Sequence, residues 1–322
     1  MDFNDVIGHE RAIKTLKTSL QNNKISHSYL FEGEEGIGKK MVAYAFSKTL
    51  LCKEHGYEPC NKCSSCVKFD SGNHPDFFLI EPEKGLIRID EIDRLIEEVA
   101  TLPFESKRKV FIIDDSHLMN STSKNAILKT LEEPPTYVNI ILISSNPDNL
   151  LPTILSRVQN LKFYPIDIDK ISKLLTHRYN ITEEEANFIA GFSKGAIGKS
   201  IDMAEDQEFF NRRNKLIEIV DSLVRGDKTK AFSSMDFFDK NREDIDDILD
   251  MMLYWFRDLL IYKEIGESTL IINRDKLENL SNQSYMNFHK INDIIERIEE
   301  TRFNIKRNVN YQLAIETMLL NI

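Results

Sequence analysis

The sequence predicts an α/β domain built on a parallel sheet, followed by a region made of helices alone. Three observations carry this. Between residues 28 and 146, strand-sized apolar runs alternate with stretches of helical periodicity. A glycine-rich turn joins the first run to the first such helix, and beyond Phe209 almost no strand pattern remains. Strands alternating with helices imply parallel pairing, a sheet covered on both faces and ligand chemistry at the carboxyl ends of the strands.

In chain order, residues 28–33 (SYLFEG) read as a buried strand running into a glycine turn. Lys39 to Leu51 follow, with Met41, Val42, Ala45, Phe46 and Leu50 at helical spacing. Residues 76–82 (DFFLIEP) are a strand, and Asp90 is expected as N-cap of the next helix. Residues 109–115 (KVFIIDD) form another buried strand, 121–133 a helix stopped by Pro134 and Pro135, and 139–146 (NIILISSN) a further strand. The first domain is expected to end near Tyr164-Pro165. From Asp167 to Glu205 short helices are separated at 180–182 and 191–198; they are too small for a core of their own and read as a lid packed on the first domain. Beyond them Leu216, Ile219, Val220 and Leu223 line one helical face. Ile245, Leu249, Met252, Leu253, Phe256 and Leu260 line another, and Leu313, Ala314, Thr317 and Met318 a third. These faces predict a separate bundle, with Tyr254, Trp255 and Phe256 in its core.

The 322 residues suit two or three domains at roughly 150 residues each. With 12 glycines and 9 prolines, about half the usual share, loops should be few and helices many. The 52 acidic residues outnumber the 42 basic ones for a net charge of −10, so a phosphate backbone repels the chain as a whole. That excludes a non-specific nucleic-acid binder, and any DNA contact must be local or shared with other subunits. The longest apolar runs, Phe111 to Ile113 and Ile140 to Ile143, fall far short of the ~20 residues of a membrane span. A cytoplasmic protein with no membrane segment is therefore expected. All four cysteines fall between residues 52 and 66, which in a reducing compartment points to metal before disulfide.

Residues 33–40 (GEEGIGKK) fit the phosphate loop G-x-x-x-x-G-K-[ST] at every fixed position but the last. Gly33, Gly36 and Gly38 let successive N–H groups turn inward around a phosphate, and Lys39 supplies a point charge to the terminal phosphates. The last position normally offers a hydroxyl to Mg²⁺. Lys40 has no lone pair to give, and its ammonium repels the metal. Residues 109–115 deliver Asp114, the carboxylate that holds metal-bound water in such sites, where a following Glu orients the attacking water. Asp115 is one methylene shorter, about 1.5 Å, and a misplacement of that size costs about 10²-fold in rate. Alone, the segment reads as a strand ending in a solvated acidic turn. Cys52, Cys60, Cys63 and Cys66 supply four thiolates, enough to close a structural S₄ site around Zn²⁺ with no position open for water. An iron–sulfur cluster also accepts four Cys, although nothing else suggests electron transfer. His55 and His74 flank the window and are read as non-ligands, because four thiolates suffice.

Residues 6–13 (VIGHERAI), 26–40 (SHSYLFEGEEGIGKK), 109–119 (KVFIIDDSHLM), 125–135 (NAILKTLEEPP) and 151–158 (LPTILSRV), in this order and spacing, resemble the bacterial clamp-loader subunits of DNA polymerase III, the gamma/tau and delta-prime chains. The resemblance is dense over the first 165 residues and thinner over the lid; the C-terminal bundle matches only in size and helicity. It implies an AAA+ nucleotide-binding-like domain over 1–165 with a zinc module at 52–66. It further implies a helical lid over 166–207 and a helical collar over 208–322 that assembles five subunits into a ring. Lys40 departs from the family's Thr or Ser, and Asp115 from its catalytic Glu. In the lid, active members carry a sensor Arg three residues after a Gly; here Gly198 stands three after Gly195, with Lys199 next to it as a weak substitute. The delta-prime branch is the one in which such losses are expected.

Ser156-Arg157-Val158 is similar to the family's Ser-Arg-Cys motif, whose Arg reaches across a subunit interface to a neighbour's nucleotide. A guanidinium suits that task, being always charged and able to pair bidentately with phosphate. For an isolated Ser-Arg a surface residue would be the better reading. Ser145 matches the first sensor position, although in an impaired site it reads equally as a strand terminus. The resemblance implies the zinc module, a place beside gamma/tau and delta subunits in a hetero-pentamer, and contact with the sliding clamp and, through the complex, primer-template DNA. It leaves ATP or ADP binding open. The first function is a non-hydrolysing scaffold in a holoenzyme with DNA polymerase activity, lending Arg157 to an adjacent ATPase. The second is an ATP-hydrolysing AAA+ motor or remodeller, which Thr or Ser at position 40 and Glu at 115 would have favoured. A free-standing zinc-dependent nucleic-acid binder conflicts with the net charge and leaves the phosphate loop unexplained. Lys107-Arg108-Lys109 is the tight basic cluster, a solvated loop by default.

Overall fold

A computed structural model describes residues 2–322. The chain divides into two compact units: Met1–Lys170 with Gly195–Lys199, and Ile171–Lys194 with Ser200–Ile322.

In the first unit, α1 (Glu10–Gln21) leads to β1 (Ser28–Glu32), then α2 (Lys39–Leu51), α3 (Ser64–Asp70) and β2 (Phe77–Ile80). After them come α4 (Ile89–Val99), β3 (Lys109–Ile113), α5 (Ser121–Ala126), α6 (Leu128–Glu132), β4 (Val138–Ser144), α7 (Pro152–Leu155) and β5 (Gln159–Lys162). The five strands pair in parallel in the order β2-β3-β4-β1-β5. Period-two alternation gives the sheet two buried faces. Tyr29, Phe31, Val110, Ile112, Ile141 and Ile143 meet Leu16, Val42, Phe46 and Phe69 of α1–α3. Leu30, Phe111, Ile113, Ile140 and Leu142 meet Ile92, Leu95, Leu131 and Ile154 on the other side. Covered on both faces, the central strands β1, β3 and β4 are mostly apolar, and their carboxyl ends deliver Gly33, Asp114 and Ser145 along one edge of the sheet.

Some expectations need correction. Asp90 is not the N-cap of α4: Arg88 is, its N–H donating to the Glu91 carboxylate at 2.9 Å, while Asp90 lies in the first turn, where its charge still favours the positive helix end. Residues 121–133 are not one helix, because the ladder breaks at Ile127 between α5 and α6, although the backbone there stays in the helical region at φ −73, ψ −18. Asn120 caps α5 by accepting from Ser123 N–H at 2.8 Å. Strand β5 carries one buried residue, Leu161, among Gln159, Asn160 and Lys162, and so has no apolar pattern to read.

The segment before β3 is tied down by Asp76. This buried carboxylate accepts from the N–H groups of Phe104 (2.5 Å), Glu105 (3.0 Å) and Ser106 (2.8 Å). Hydrogen bonds to a charged acceptor are among the stronger ones, so Asp76→Ala should destabilise the first unit by about 2–4 kcal/mol and Asp76→Asn by less. Urea denaturation checks this: the midpoint should fall at unchanged slope, and an unmoved midpoint would mean water replaces the carboxylate at no cost.

The second unit is helical: α8 (Ile168–Arg178), which starts in the first unit, α9 (Glu183–Phe192), α10 (Ile197–Glu205), α11 (Phe209–Val224), α12 (Thr229–Ser233), α13 (Met235–Lys240), α14 (Ile245–Ile265), α15 (Leu277–Gln283), α16 (Phe288–Lys306) and α17 (Tyr311–Leu320). A reciprocal pair starts α9, with Thr182 Oγ1 accepting from Glu185 N–H (3.2 Å) and the Glu185 carboxylate from Thr182 N–H (3.0 Å). The expected face of α11 is buried, as are Ile245, Leu249, Met252 and Phe256 of α14; Leu253 and Leu260 are half-buried. Trp255 is core, its indole N–H donating to Gln283 Oε1 at 2.9 Å. In α17 the buried stripe is Tyr311, Ala314, Ile315, Met318 and Leu319, while Leu313 is 60 % exposed. That stripe is rotated by about one residue from the expected one, and the Tyr311 hydroxyl, donating to Phe238 O at 2.9 Å, helps fix the rotation.

Candidate functional site

The phosphate loop leaves β1 at Gly33, whose N–H donates to Ser144 O at 3.2 Å, and enters α2 through Gly38. Gly38 has φ +102, a backbone that a side chain would strain, which is why glycine serves there. Lys39 turns back on its own loop. Its ammonium donates to Gly33 O (2.6 Å) and Glu34 O (2.5 Å), the carbonyls at the start of the loop, and burial pushes its pKa down. His9, at φ 60, closes another side: its ring Nε2 lies 2.6 Å from Ile37 O and its ring packs edge-on against Phe163. Burial holds His9 below the ordinary imidazole pKa, and because a carbonyl oxygen only accepts, Nε2 is assigned as the donor in that contact. Gly198 N–H donates to Gly36 O at 2.7 Å, and a Cβ at Gly198 would stand 3.1 Å from that oxygen. The position expected of a sensor Arg thus has its backbone against the loop.

Lys40, at the position where a hydroxyl would ligate Mg²⁺, points to the ends of β2 and β3. Its ammonium pairs with Asp114 Oδ2 at 2.9 Å and with the Glu81 carboxylate. Burial opposes the charge, but the two carboxylates outweigh it and raise the Lys40 pKa. An ammonium therefore neutralises the strand-end carboxylate that would otherwise face a metal. Glu81 was not read from sequence as a site residue. Its place follows from the register of the folded sheet: Ile80 pairs with Ile113, so Glu81 and Asp114 leave adjacent parallel strands side by side.

Asp115 follows with φ 45. Burial, then the neighbouring Asp114, raises its pKa. Ser145 Oγ lies 3.4 Å from His117 Nε2. The structure thus gathers Gly33, Gly36, Gly38, Lys39, Lys40, Asp114 and Asp115 into one cluster, with Glu81 and His9 added.

Arg157 has separate partners. It follows α7, and its Nη1 donates to Thr153 O (2.7 Å) and Ser156 Oγ (3.1 Å), while Nη2 pairs with Glu132 Oε1 at 2.6 Å. The side chain keeps 32 % of its surface. The sequence cluster Lys107-Arg108-Lys109 is not a basic patch. Lys109 is buried, donating to Glu98 and Thr101, and Arg108 donates to Asn139 Oδ1 at 2.9 Å. Lys109 opens the buried strand β3 and Arg108, just before it, is half-buried, which leaves Lys107 at the surface.

The four thiols converge. All four Sγ atoms lie within 4.8 Å of one another, with Cys60 and Cys66 at 3.9 Å. A tetrahedron with metal–sulfur bonds of about 2.3 Å has edges of about 3.8 Å, so the set fits one tetrahedral ion. Cys60 N–H donates to Cys52 Sγ (3.4 Å), Cys63 N–H to Cys60 Sγ (3.3 Å) and Cys66 N–H to Cys63 Sγ (3.4 Å), contacts that favour thiolates. Burial pushes the Cys52 and Cys66 thiols up. Burial works upward on Cys63 too, but the Cys66 and Lys53 backbone contacts and the neighbouring thiols outweigh it, to about 6. His74 is held elsewhere, its Nε2 2.8 Å from Ser65 Oγ and its Nδ1 accepting from Asp76 N–H. Buried Lys48 of α2 pairs with both Asp70 oxygens (2.8 and 2.7 Å), and Ser65 Oγ donates to Leu51 O (2.6 Å), so α3 is bolted to α2. No helix among the described residues is long and apolar enough to cross a membrane.

Two profiles match the chain: "DNA polymerase III, delta subunit" over residues 8–167 and "DNA polymerase III, delta subunit, C terminal" over 207–322. The Bacillus subtilis protein DNA polymerase III subunit delta' is 30% identical over 316 residues, 96% of this chain and 94% of that one. DNA polymerase III subunit tau/gamma of Haemophilus influenzae is 33% identical over 229 residues, 69% of this chain and 33% of that one. Among solved structures, a gamma subunit-related protein from Thermotoga maritima aligns at 20% identity and TM-score 0.44, covering 95% of this chain and 97% of that one.

Proposed function

The chain belongs to the DNA polymerase III delta' family, and we propose that within it this protein is a non-hydrolysing AAA+ clamp-loader subunit that lends Arg157 to a neighbour's ATP site. The observation that carries this reading is the Lys40 ammonium held between Asp114 and Glu81, where hydrolysis needs a divalent ion. The short Asp115, and Gly198 in place of a sensor Arg, remove water positioning and charge stabilisation from the same site. An ATP-hydrolysing motor would need all three restored. In this reading Lys39, which already satisfies its own loop's carbonyls, Gly33, Gly36, Gly38 and Ser145 are remnants of a nucleotide site. The proposed partners are gamma/tau and delta subunits in a hetero-pentamer, the sliding clamp, and primer-template DNA through the complex, all in the cytoplasm. The proposed plan is an AAA+ domain over 1–165, a lid over 166–207 and a collar over 208–322. The ion proposed for Cys52, Cys60, Cys63 and Cys66 is Zn²⁺, in a structural role.

The test is hydrolysis by the purified chain. Its ATPase should lie at least about 10³-fold below that of an active clamp-loader subunit, since metal, water and charge stabilisation are each missing. Lys40→Thr alone should not restore it. Steady turnover that disappears in Lys39→Ala would establish the motor instead.

A further inference from the structure

We propose that Glu132 is a positioning residue for Arg157, a carboxylate latch that holds the guanidinium in place and masks its charge until a neighbour's nucleotide displaces it. This rests on the reading of Arg157 as a residue acting across a subunit interface. The guanidinium is held on two sides of different character. Nη1 is fixed by groups of its own segment, Thr153 O (2.7 Å) and Ser156 Oγ (3.1 Å), which set where the side chain points and carry no formal charge. Nη2 meets Glu132 Oε1 at 2.6 Å, the one carboxylate among its contacts with the described residues. Carboxylate and phosphate oxygens are alternative acceptors for the same planar donors. Whatever charge Glu132 neutralises is therefore withheld from an incoming phosphate.

The placement of Glu132 makes it exchangeable. It ends α6, one residue before Glu133 and two before the prolines that stop the helix, and it keeps 46 % of its surface beside an arginine that keeps 32 %. Exposed pairs of this kind are weak and salt-screened. Displacing Glu132 therefore costs little and leaves the Thr153 and Ser156 contacts intact, so the arginine arrives already oriented. The latch sets how readily a neighbour's nucleotide captures Arg157, and not how well the captured arginine works.

The closing experiment uses the whole reconstituted clamp loader with wild-type, Glu132→Gln, Glu132→Asp, Arg157→Ala and the Glu132→Gln/Arg157→Ala double variant. Glutamine keeps an acceptor but loses the charge. With Glu132→Gln the apparent KM for ATP should fall about two- to fivefold, the span of an exposed ion pair, while kcat stays near wild type. Glu132→Asp should stay close to wild type, and the Glu132→Gln difference should shrink as salt rises. In the Arg157→Ala background Glu132→Gln should change nothing. A loss of kcat in Glu132→Gln, an unchanged KM, or the same KM shift without Arg157 would overturn the latch. If Arg157→Ala itself behaves as wild type, the reading beneath it fails; if Arg157→Ala is impaired and Glu132→Gln is silent, only the latch fails. Thermal melting of the free Glu132→Gln chain, expected to match wild type, separates these outcomes from misfolding.

Discussion

Clamp loaders assembled with Arg157→Ala chain should form normally but hydrolyse ATP more slowly and load clamps more slowly still. The residue is half-buried at most, and its contacts are local carbonyl, hydroxyl and carboxylate groups, so its removal leaves the core intact and folding within a fraction of a kcal/mol. In the role proposed for Arg157, what is lost is a charge that would act when negative charge develops on the transferred phosphoryl group. Arginines in that role are worth about 10³ to 10⁵ in rate at the site they serve. One site among several loses its arginine, so total hydrolysis should fall by about that site's share. Loading, which needs the sites to fire in order, should fall further. The deficit should sit mainly in kcat, as for an interaction strongest in the transition state, with a smaller rise in KM from the lost capture of the bound nucleotide. The measurement compares ATPase and loading rate at saturating ATP, with clamp and primed DNA present, for complexes built with either chain. Equal values in both assays would make Arg157 an ordinary surface residue.

The parts of the fold that could be read from sequence are those in which local pattern and tertiary burial agree. Helix α2 spans Lys39–Leu51 as expected, because its apolar spacing follows directly on a glycine turn that can only open a helix. Strands β1, β3 and β4 are buried on both faces and so carry continuous apolar runs, Tyr29–Phe31, Val110–Ile113 and Ile140–Ile143. Strand β5 was illegible because it lies at the edge of the sheet and buries one side chain. In α17 apolar residues occur almost all round, so composition could not choose between Leu313 and Ile315 for the core; the Tyr311 hydroxyl bond decides.

The site divides in the same way. The glycines, Lys39 and Lys40 were legible as candidates because their spacing is fixed within residues 33–40, and Asp114 because it ends the apolar run of residues 109–115. Glu81 and Glu132 were not, since each acts on a residue far away in sequence: Lys40 is 41 positions from Glu81 and the pair forms only once β2 lies beside β3. The Lys40 reading changes in kind when that partner is known. From sequence the ammonium repels a metal; in the structure it substitutes for one, neutralising two carboxylates that would otherwise repel each other at the strand ends. The Lys107-Arg108-Lys109 cluster fails for the converse reason, because adjacency in sequence scatters side chains once a strand begins at Lys109.

Protein isolated without chelator should contain one zinc per chain, and removing it should unfold the cysteine segment while the sheet persists. Four thiolates with edges near those of a tetrahedral site saturate one ion. Structural zinc contributes about 10–16 kcal/mol of apparent binding free energy in isolated fingers, more than a loop with few buried apolar residues can replace. Without the ion, any thiolates in the cluster repel one another and the buried sulfurs lose their shared partner, and residues 53–63 hold no helix or strand to resist opening. Helix α3 should respond less, because Lys48–Asp70, Ser65–Leu51 and the packing of Phe69 against Tyr44 and Phe77 anchor it independently of the metal. Elemental analysis should give about one equivalent for wild type and none for Cys63→Ser/Cys66→Ser. Hydrogen exchange should then speed up by orders of magnitude over residues 52–63, little over α3 and not at all in β1, β3 and β4. Less than half an equivalent in the wild type, or zinc retained by the double variant, would remove the assignment. Uniform exchange across the first unit would show instead that the ion supports the whole sheet.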